Sequence, residues 1–431
     1  MMRKLLATLC LVFPALSWAD TTLKIATISN GDMTIMQQLS NQYEQSHPGV
    51  HLQWHVMDDG ALRKTIYSSM EGNGERFDVI TVGTYEAPLW GEKGWLAPLN
   101  NLPDSYDVND LLPPLRKALS WHNTLYALPF YGESSMTYYR KDLFAAKGLS
   151  MPAEPTWQDI QHFAAELTDK SKGIYGLCLR GQPGWGDNVA LINTMANSYG
   201  AQWFDESWAP TMNTPEWRRV LTDYVAMVHE YGPPDTVDNS FGQILRLTAQ
   251  GECAMWVDST VAAGLLTNPQ ISLVADKLGF TSAPHDITRN GSHWLWAWAL
   301  AVPANSSQRE QAMDFIAWAT SRGYIQEVAK VVGWGSVPPG SRQSTYAEAG
   351  YQALAPYARQ VLAAMETASP ETPTLNPVPY QGIQYVSIPG FDQMGSQVAQ
   401  NIANLLTGKL TVDETLSANQ QAVLDVRQKV H

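Results

Sequence analysis

The stretch from Leu125 to Phe144 reads Leu-Tyr-Ala-Leu-Pro-Phe-Tyr-Gly-Glu-Ser-Ser-Met-Thr-Tyr-Tyr-Arg-Lys-Asp-Leu-Phe. Its two apolar and aromatic runs, Leu125–Tyr131 and Met136–Tyr139, predict two buried strands, the second running into a helix. Gly132, Glu133, Ser134 and Ser135 interrupt them as a small polar elbow. A glycine lets the backbone turn or approach another segment closely. A carboxylate flanked by buried strands is either paired or turned toward a polar ligand. Glu133 therefore has two readings: a solvated strand end, or a group in a cleft between two lobes that this segment bridges. Tyr131 closes the first strand beside it.

Upstream, strands alternate with helices. Leu23–Ile28 reads as a strand and Ser29-Asn30-Gly31-Asp32 as a turn, with Asp32 placed to cap the next helix. That helix carries Ile35, Leu39 and Tyr43 on one face. His47-Pro48-Gly49 stops it, and Val50, Leu52, Trp54 and Val56 then alternate with polar residues as a half-buried strand. A helix around Leu62–Met70 and a short strand at Asp78–Gly83 follow, the latter ended by Thr84-Tyr85-Glu86. This alternation predicts an α/β lobe with a largely parallel sheet. Ligands of such sheets sit beyond the carboxyl ends of the strands. Asn30, Asp32, Tyr85 and Glu86 all lie there.

Downstream the pattern repeats. Thr156 caps a helix with Ile160, Phe163 and Leu167 on one face. Ile174–Arg180 reads as a strand entering the loop Gly181–Asn188, which contains Trp185. Cys253–Val257 reads as a strand closed by Asp258-Ser259-Thr260. Arg180, Trp185, Asn188, Asp258 and Ser259 thus gather at strand ends. Gly291–Pro303 carries Trp294, Trp296 and Trp298 at two-residue spacing, sharing one strand face. Core packing is the ordinary role of such a stripe, yet three indole N–H groups are hard to satisfy in a core. A helix at Gln308–Thr320 precedes a Gly- and Pro-rich loop around Trp334, and the helical tail is broken by a Pro-rich stretch at Ser369–Pro379.

With 431 residues, the chain exceeds one core and implies two or three domains. Hydrophobic content of 45% with 16% charged residues describes a folded protein, not a disordered one. A net charge of −13 argues against nucleic acid or an anionic membrane as partner. The 16 Trp and 18 Tyr suit either large cores or stacking on sugar-like C–H faces. Residues 1–19 have the form of a secretory signal: Arg3 and Lys4, a short apolar run, then Ser17-Trp18-Ala19. Cys10 in that run follows Leu9, a poor lipoprotein site, so no membrane anchor is expected. Two cysteines then remain, Cys178 and Cys253. In an oxidising compartment they form a disulfide or stay as two buried thiols.

The sequence holds no Gly-x-Ser-x-Gly elbow, no P-loop and no Gly-x-Gly-x-x-Gly. His229-Glu230 lacks a second histidine at zinc spacing, and no metal or cofactor is expected. A carbohydrate-active enzyme would need only two carboxylates near in space. Polar groups spread over many strand ends suit binding better than catalysis.

Together these segments resemble the extracellular solute-binding proteins of bacterial ABC importers, in the large carbohydrate-binding family. The resemblance rests on Asn41–Val50, Phe77–Ile80, Gly94–Leu99, Leu125–Phe144 and Gly251–Trp256. Phe130–Tyr139, Leu179–Gly186 and Ser292–Ala301 are similar to its sorbitol- and mannitol-binding branch. The resemblance implies an α/β fold of two lobes, each a mostly parallel sheet flanked by helices, with the ligand between them. Lobe 1 would comprise 20–130 and 288–338, and lobe 2 131–287 and 339–431. The expected function is capture of a sugar alcohol in the periplasm by a monomer that delivers it to a membrane permease; another sugar or an oligosaccharide is the alternative ligand. The resemblance also favours a cleft-facing Glu133 and a ligand loop at Asn30–Asp32. The expected liners are Asn30, Asp32, Tyr85, Glu86, Tyr131, Glu133, Arg180, Trp185, Asn188, Asp258, Ser259, Trp294, Trp296 and Trp334.

Overall fold

A computed structural model describes residues 20–430; the leader read at 1–19 lies outside the described residues. The chain opens with β1 (Thr21–Ile28), α1 (Gly31–Ser46), β2 (Val50–Met57), α2 (Asp59–Met70), β3 (Val79–Gly83) and α3 (Glu86–Glu92). A small hairpin, β4 (Ser120–Trp121) and β5 (Thr124–Leu125), precedes β6 (Leu128–Glu133) and β7 (Ser135–Arg140). Then come β8 (Met255–Ser259), β9 (Leu278–Ser282) and β10 (Trp296–Ala301), embedded among helices.

Two sheets form two lobes. The first has strand order β2-β1-β3-β10-β6, parallel from β2 to β3 and antiparallel where β10 enters between β3 and β6. The second, β8-β7-β9, is antiparallel, unlike the mostly parallel sheet expected there. Parallel contacts in that lobe, among the described residues, are confined to three isolated bridges, Thr156 to His285, Tyr175 to Cys253 and Cys178 to Trp256. The predicted strand Ile174–Arg180 is thus an irregular edge that touches the sheet only at intervals.

The elbow is shorter than the sequence suggested. Gly132 and Glu133 stay within β6, because β10 pairs with them through Ala297 and Trp296. Ser135 already belongs to the other sheet, opposite Ser259. Ser134 alone turns the chain, held by its N–H donating to the Thr260 hydroxyl at 3.0 Å and its carbonyl accepting from the Thr260 N–H at 2.8 Å. Gly132 serves close approach: a Cβ there would lie 2.2 Å from the Leu115 side chain.

Two further crossings follow. Residues 283–295 return from β9 to β10, tied to the first crossing by the Ser135 hydroxyl, which donates to the Ser292 carbonyl at 2.9 Å. Residues 339–344 hydrogen-bond to lobe 1, beyond the boundary placed at 338. The Gly132 N–H donates to the Pro339 carbonyl, and Leu112 N–H to that of Ser341. Arg342 is fully buried, donating to the Thr320 carbonyl at 3.0 Å and pairing with Asp110 at 3.2 Å. Helices Phe391–Leu406 and Val412–Val430 pack against Pro215–Tyr231 in lobe 2.

The helices start where local chemistry dictates. Asn30, not Asp32, caps α1: its side chain accepts from the Met33 N–H at 2.8 Å. Asp32 occupies the first turn, where the helix dipole favours a carboxylate. Thr156 and Asp159 form a capping box. Cys178 and Cys253 are joined in a disulfide, Cα atoms 5.9 Å apart, inside lobe 2.

Candidate functional site

Elements from both lobes converge where β6 hands over to β7. On the lobe 2 side, Arg180 and Asp258 form a two-pronged pair: Nε donates to Oδ2 at 2.8 Å and Nη2 to Oδ1 at 2.6 Å. Such forked geometry is the strong form of an arginine–carboxylate contact. Asp258 is fully buried and also accepts from the Trp256 indole at 3.0 Å and the Ser259 N–H at 2.6 Å. Arg180 donates further to the Gly186 carbonyl at 2.9 Å and stands 3.7 Å from Asp187. The Trp294 ring centroid lies 5.7 Å from this guanidinium, and its buried indole N–H has no hydrogen-bond partner.

Glu133 reaches this group from the crossing itself and is buried. Burial pushes its carboxyl up to about 7, against the Ser259 hydroxyl and the Arg180 charge, which favour the anion. Asp32, on the other lobe, is likewise pushed up to about 7 by burial. It lines a water-sized cavity of about 10 Å³ with Phe130, Tyr324 and Pro338. Tyr131 lies within the field of Glu133, Asp32 and Asp59, and burial and these carboxylates together hold its proton firmly.

The second half of the site is aromatic. Arg63 of α2 lays its guanidinium 4.3 Å above the Trp185 ring centroid, crossing from lobe 1 to lobe 2. Trp298 and Trp296 lie at 5.2 and 5.6 Å from the same guanidinium. Asp59 holds the Arg63 Nε at 3.0 Å, one helical turn away, and Glu86 forms a close ion pair with it. Glu86 also accepts from the Gly83 N–H at 3.0 Å. A Cβ on Gly83 would collide with the Trp296 indole at 2.2 Å, so only glycine admits that ring over the strand end. Tyr85 meets Trp185 edge-on at 5.2 Å, and Tyr385 meets Trp296 at 5.9 Å.

The structure therefore brings together Asp32, Tyr85, Glu86, Tyr131, Glu133, Arg180, Trp185, Asp258, Ser259, Trp294 and Trp296. Three expected liners are placed otherwise. Asn30 is engaged as the α1 cap. Asn188 is fully buried, with its amide donating to the Ala399 carbonyl at 3.1 Å, so it anchors the loop to a helix. The Trp334 indole lies over Gly350, where a Cβ would meet it at 2.3 Å. Sequence reading missed Asp59, Arg63 and Tyr385. Asp59 and Arg63 lie just beyond the end of β2, so the strand-end rule applied there would have found them. Tyr385 has no such signal: it sits in an irregular segment whose Gln384 and Ile383 carbonyls accept from Asn193 and Asn197.

Two lobes meeting over buried charged pairs and indole faces, with the chain crossing between them three times, define a clamp for a small polar molecule. The chain belongs to the bacterial extracellular solute-binding proteins, whose family model matches residues 28–326; these are binding proteins, not enzymes. It is 48% identical over 417 residues to a mannitol-binding protein of Pseudomonas aeruginosa, covering 97% of this chain and 95% of the other. A solute-binding protein of Agrobacterium vitis, solved with bound D-mannitol, superposes with a TM-score of 0.93 at 47% identity, covering 95% of this chain and 99% of that one. An Agrobacterium radiobacter solute-binding protein in complex with ribitol gives 0.82 at 25% identity, again over 95% and 99%.

Proposed function

We propose that this protein is the periplasmic capture component of an ABC importer and closes its lobes on an acyclic sugar alcohol, which it passes as a monomer to a membrane permease. The observation that carries the reading is the pairing of the Arg180–Asp258–Glu133 group with the indoles Trp185 and Trp296 in one cleft. A polyol has a hydroxyl on every carbon, each both donor and acceptor. Carboxylates and guanidinium groups take neighbouring hydroxyls in pairs, and indole faces cover the C–H edges. Since Glu133 and Trp296 come from the sheet of lobe 1, and Arg180, Asp258 and Trp185 from lobe 2, the ligand makes all its contacts only in the closed form and so favours closure. Similarity to the mannitol- and ribitol-complexed proteins supports the same class.

Steep selectivity follows, because a hydroxyl of wrong configuration leaves a buried polar group unpaired at about 1–3 kcal/mol. Calorimetry over alditols, hexoses and disaccharides tests the reading, together with mass spectrometry of ligand released from denatured protein. A hexitol such as mannitol or sorbitol is expected to bind best. Tighter binding of a pyranose or a disaccharide than of any alditol would overturn the ligand class.

A further inference from the structure

The cleft does not end at Arg63. On the far side of its guanidinium a cavity of about 530 Å³ opens between α2, α3 and residues 389–393 of lobe 2. That volume lies within the roughly 300–1,000 Å³ of ordinary small-molecule sites. Arg63, Tyr85, Glu86 and Trp185 line it as well as the inner site, so the two spaces share a wall. The chemistry also continues. Tyr67, Trp90, Lys93 and Gln393 extend the lining outward. Trp90 and Trp95 pack at 5.9 Å, Tyr67 meets Trp95 edge-on at 5.6 Å, and the Lys93 ammonium stands 4.7 Å from the Trp95 ring centroid. Tyr67 nevertheless remains 42% exposed, a large aromatic left facing this space at the mouth of the cleft.

We infer that this vestibule is a second subsite, which takes a neutral glycosyl substituent on an alditol whose acyclic part occupies the inner site; the inference rests on the polyol reading above. The exposed ring of Tyr67, backed by the buried Trp90 and the half-buried Trp95, suits the C–H face of a pyranose, and Lys93 and Gln393 suit its hydroxyls. A phosphate extension fits poorly. Arg63 is already paired with Glu86, and Lys64 and Lys93 are outnumbered by Glu71, Glu92 and Asp392 around the cavity.

Calorimetry on the whole exported protein tests this with sorbitol, maltitol (a glucosyl-sorbitol) and sorbitol phosphate. Maltitol is expected to bind and the phosphate to bind much more weakly than sorbitol. The double variant Tyr67→Ala/Gln393→Ala, in exposed vestibule positions, should weaken maltitol about five- to tenfold and leave sorbitol within about twofold. Binding of sorbitol without maltitol would overturn the subsite, as would equal weakening of both ligands by the variant. Phosphate binding as tight as sorbitol would overturn the neutral class. Binding of none of the three would overturn the polyol reading and the subsite with it.

Discussion

The two walls of the cleft are built differently. In lobe 2, Arg180, Asp258, Trp256 and Ser259 satisfy one another within the lobe. The Cys178–Cys253 disulfide clamps the two segments, ending near Arg180 and Asp258, that present them. In lobe 1, Arg63 is held by Asp59 and Glu86 beside that lobe's own Trp296 and Trp298, but the ring it approaches most closely, Trp185, lies across the gap. Asp32 makes no side-chain hydrogen bond among the described residues. One wall is therefore pre-formed and rigid, and the other is completed by closure. Pre-formed groups lose little entropy on binding, whereas a contact made only when the lobes meet biases the open–closed equilibrium.

The sharpest way to break this contrast is Arg180→Ala. It leaves the Asp258 carboxylate buried without its partner, and removing one member of a buried pair costs about 3–5 kcal/mol. Chemical denaturation should therefore find the ligand-free protein destabilised, and calorimetry should find binding abolished. Unchanged free-protein stability would mean that this wall is not pre-formed.

Next in size is the cross-link. Breaking the disulfide, whose cysteines are 75 residues apart in sequence, should lower stability by about 2–4 kcal/mol. Hydrogen exchange should report the loss in lobe 2, with the β2-β1-β3 core of lobe 1 unaffected. Equal loosening of both lobes would remove the distinction between them.

Arg63→Lys should have a smaller effect of a different kind. The charge for Glu86 is kept, but the planar guanidinium over Trp185 is lost, worth about 0.5–2 kcal/mol. Stopped-flow fluorescence should show faster ligand release with little change in free-protein stability. If stability falls and release is unchanged, Arg63 belongs to the folding of lobe 1 and not to closure.

The last effect is on pH dependence. Asp32 and Glu133 are pushed up to about 7 in the folded chain, well above the carboxylate range of an unfolded one. Between about pH 4 and 7 the folded state then holds more protons than the unfolded state. Their contribution to stability is present in full at acid pH and is lost as pH rises through 7. The melting temperature of ligand-free protein should accordingly fall between pH 5.5 and 8, and fall less in Asp32→Asn and Glu133→Gln. A rise over that range, unaltered by these variants, would mean that other groups govern it.

Much of this was legible in the residues. The alternation of Leu23–Ile28, Val50–Val56 and Asp78–Gly83 with helices determined an α/β lobe, because side-chain periodicity is a local property. The two cysteines beyond the expected leader allowed a disulfide, and the strand-end positions of Glu133, Arg180 and Asp258 marked them for a cleft. Tertiary structure decided the rest. That β10 enters antiparallel between β3 and β6 is set by long-range pairing, and it keeps Gly132 and Glu133 in the first sheet. That the cation facing Trp185 comes from Arg63, and that Tyr385 joins the rings while Trp334 does not, depends on how distant segments pack. Neither periodicity nor spacing carries that information, because the free energy of those contacts exists only once the two lobes face each other.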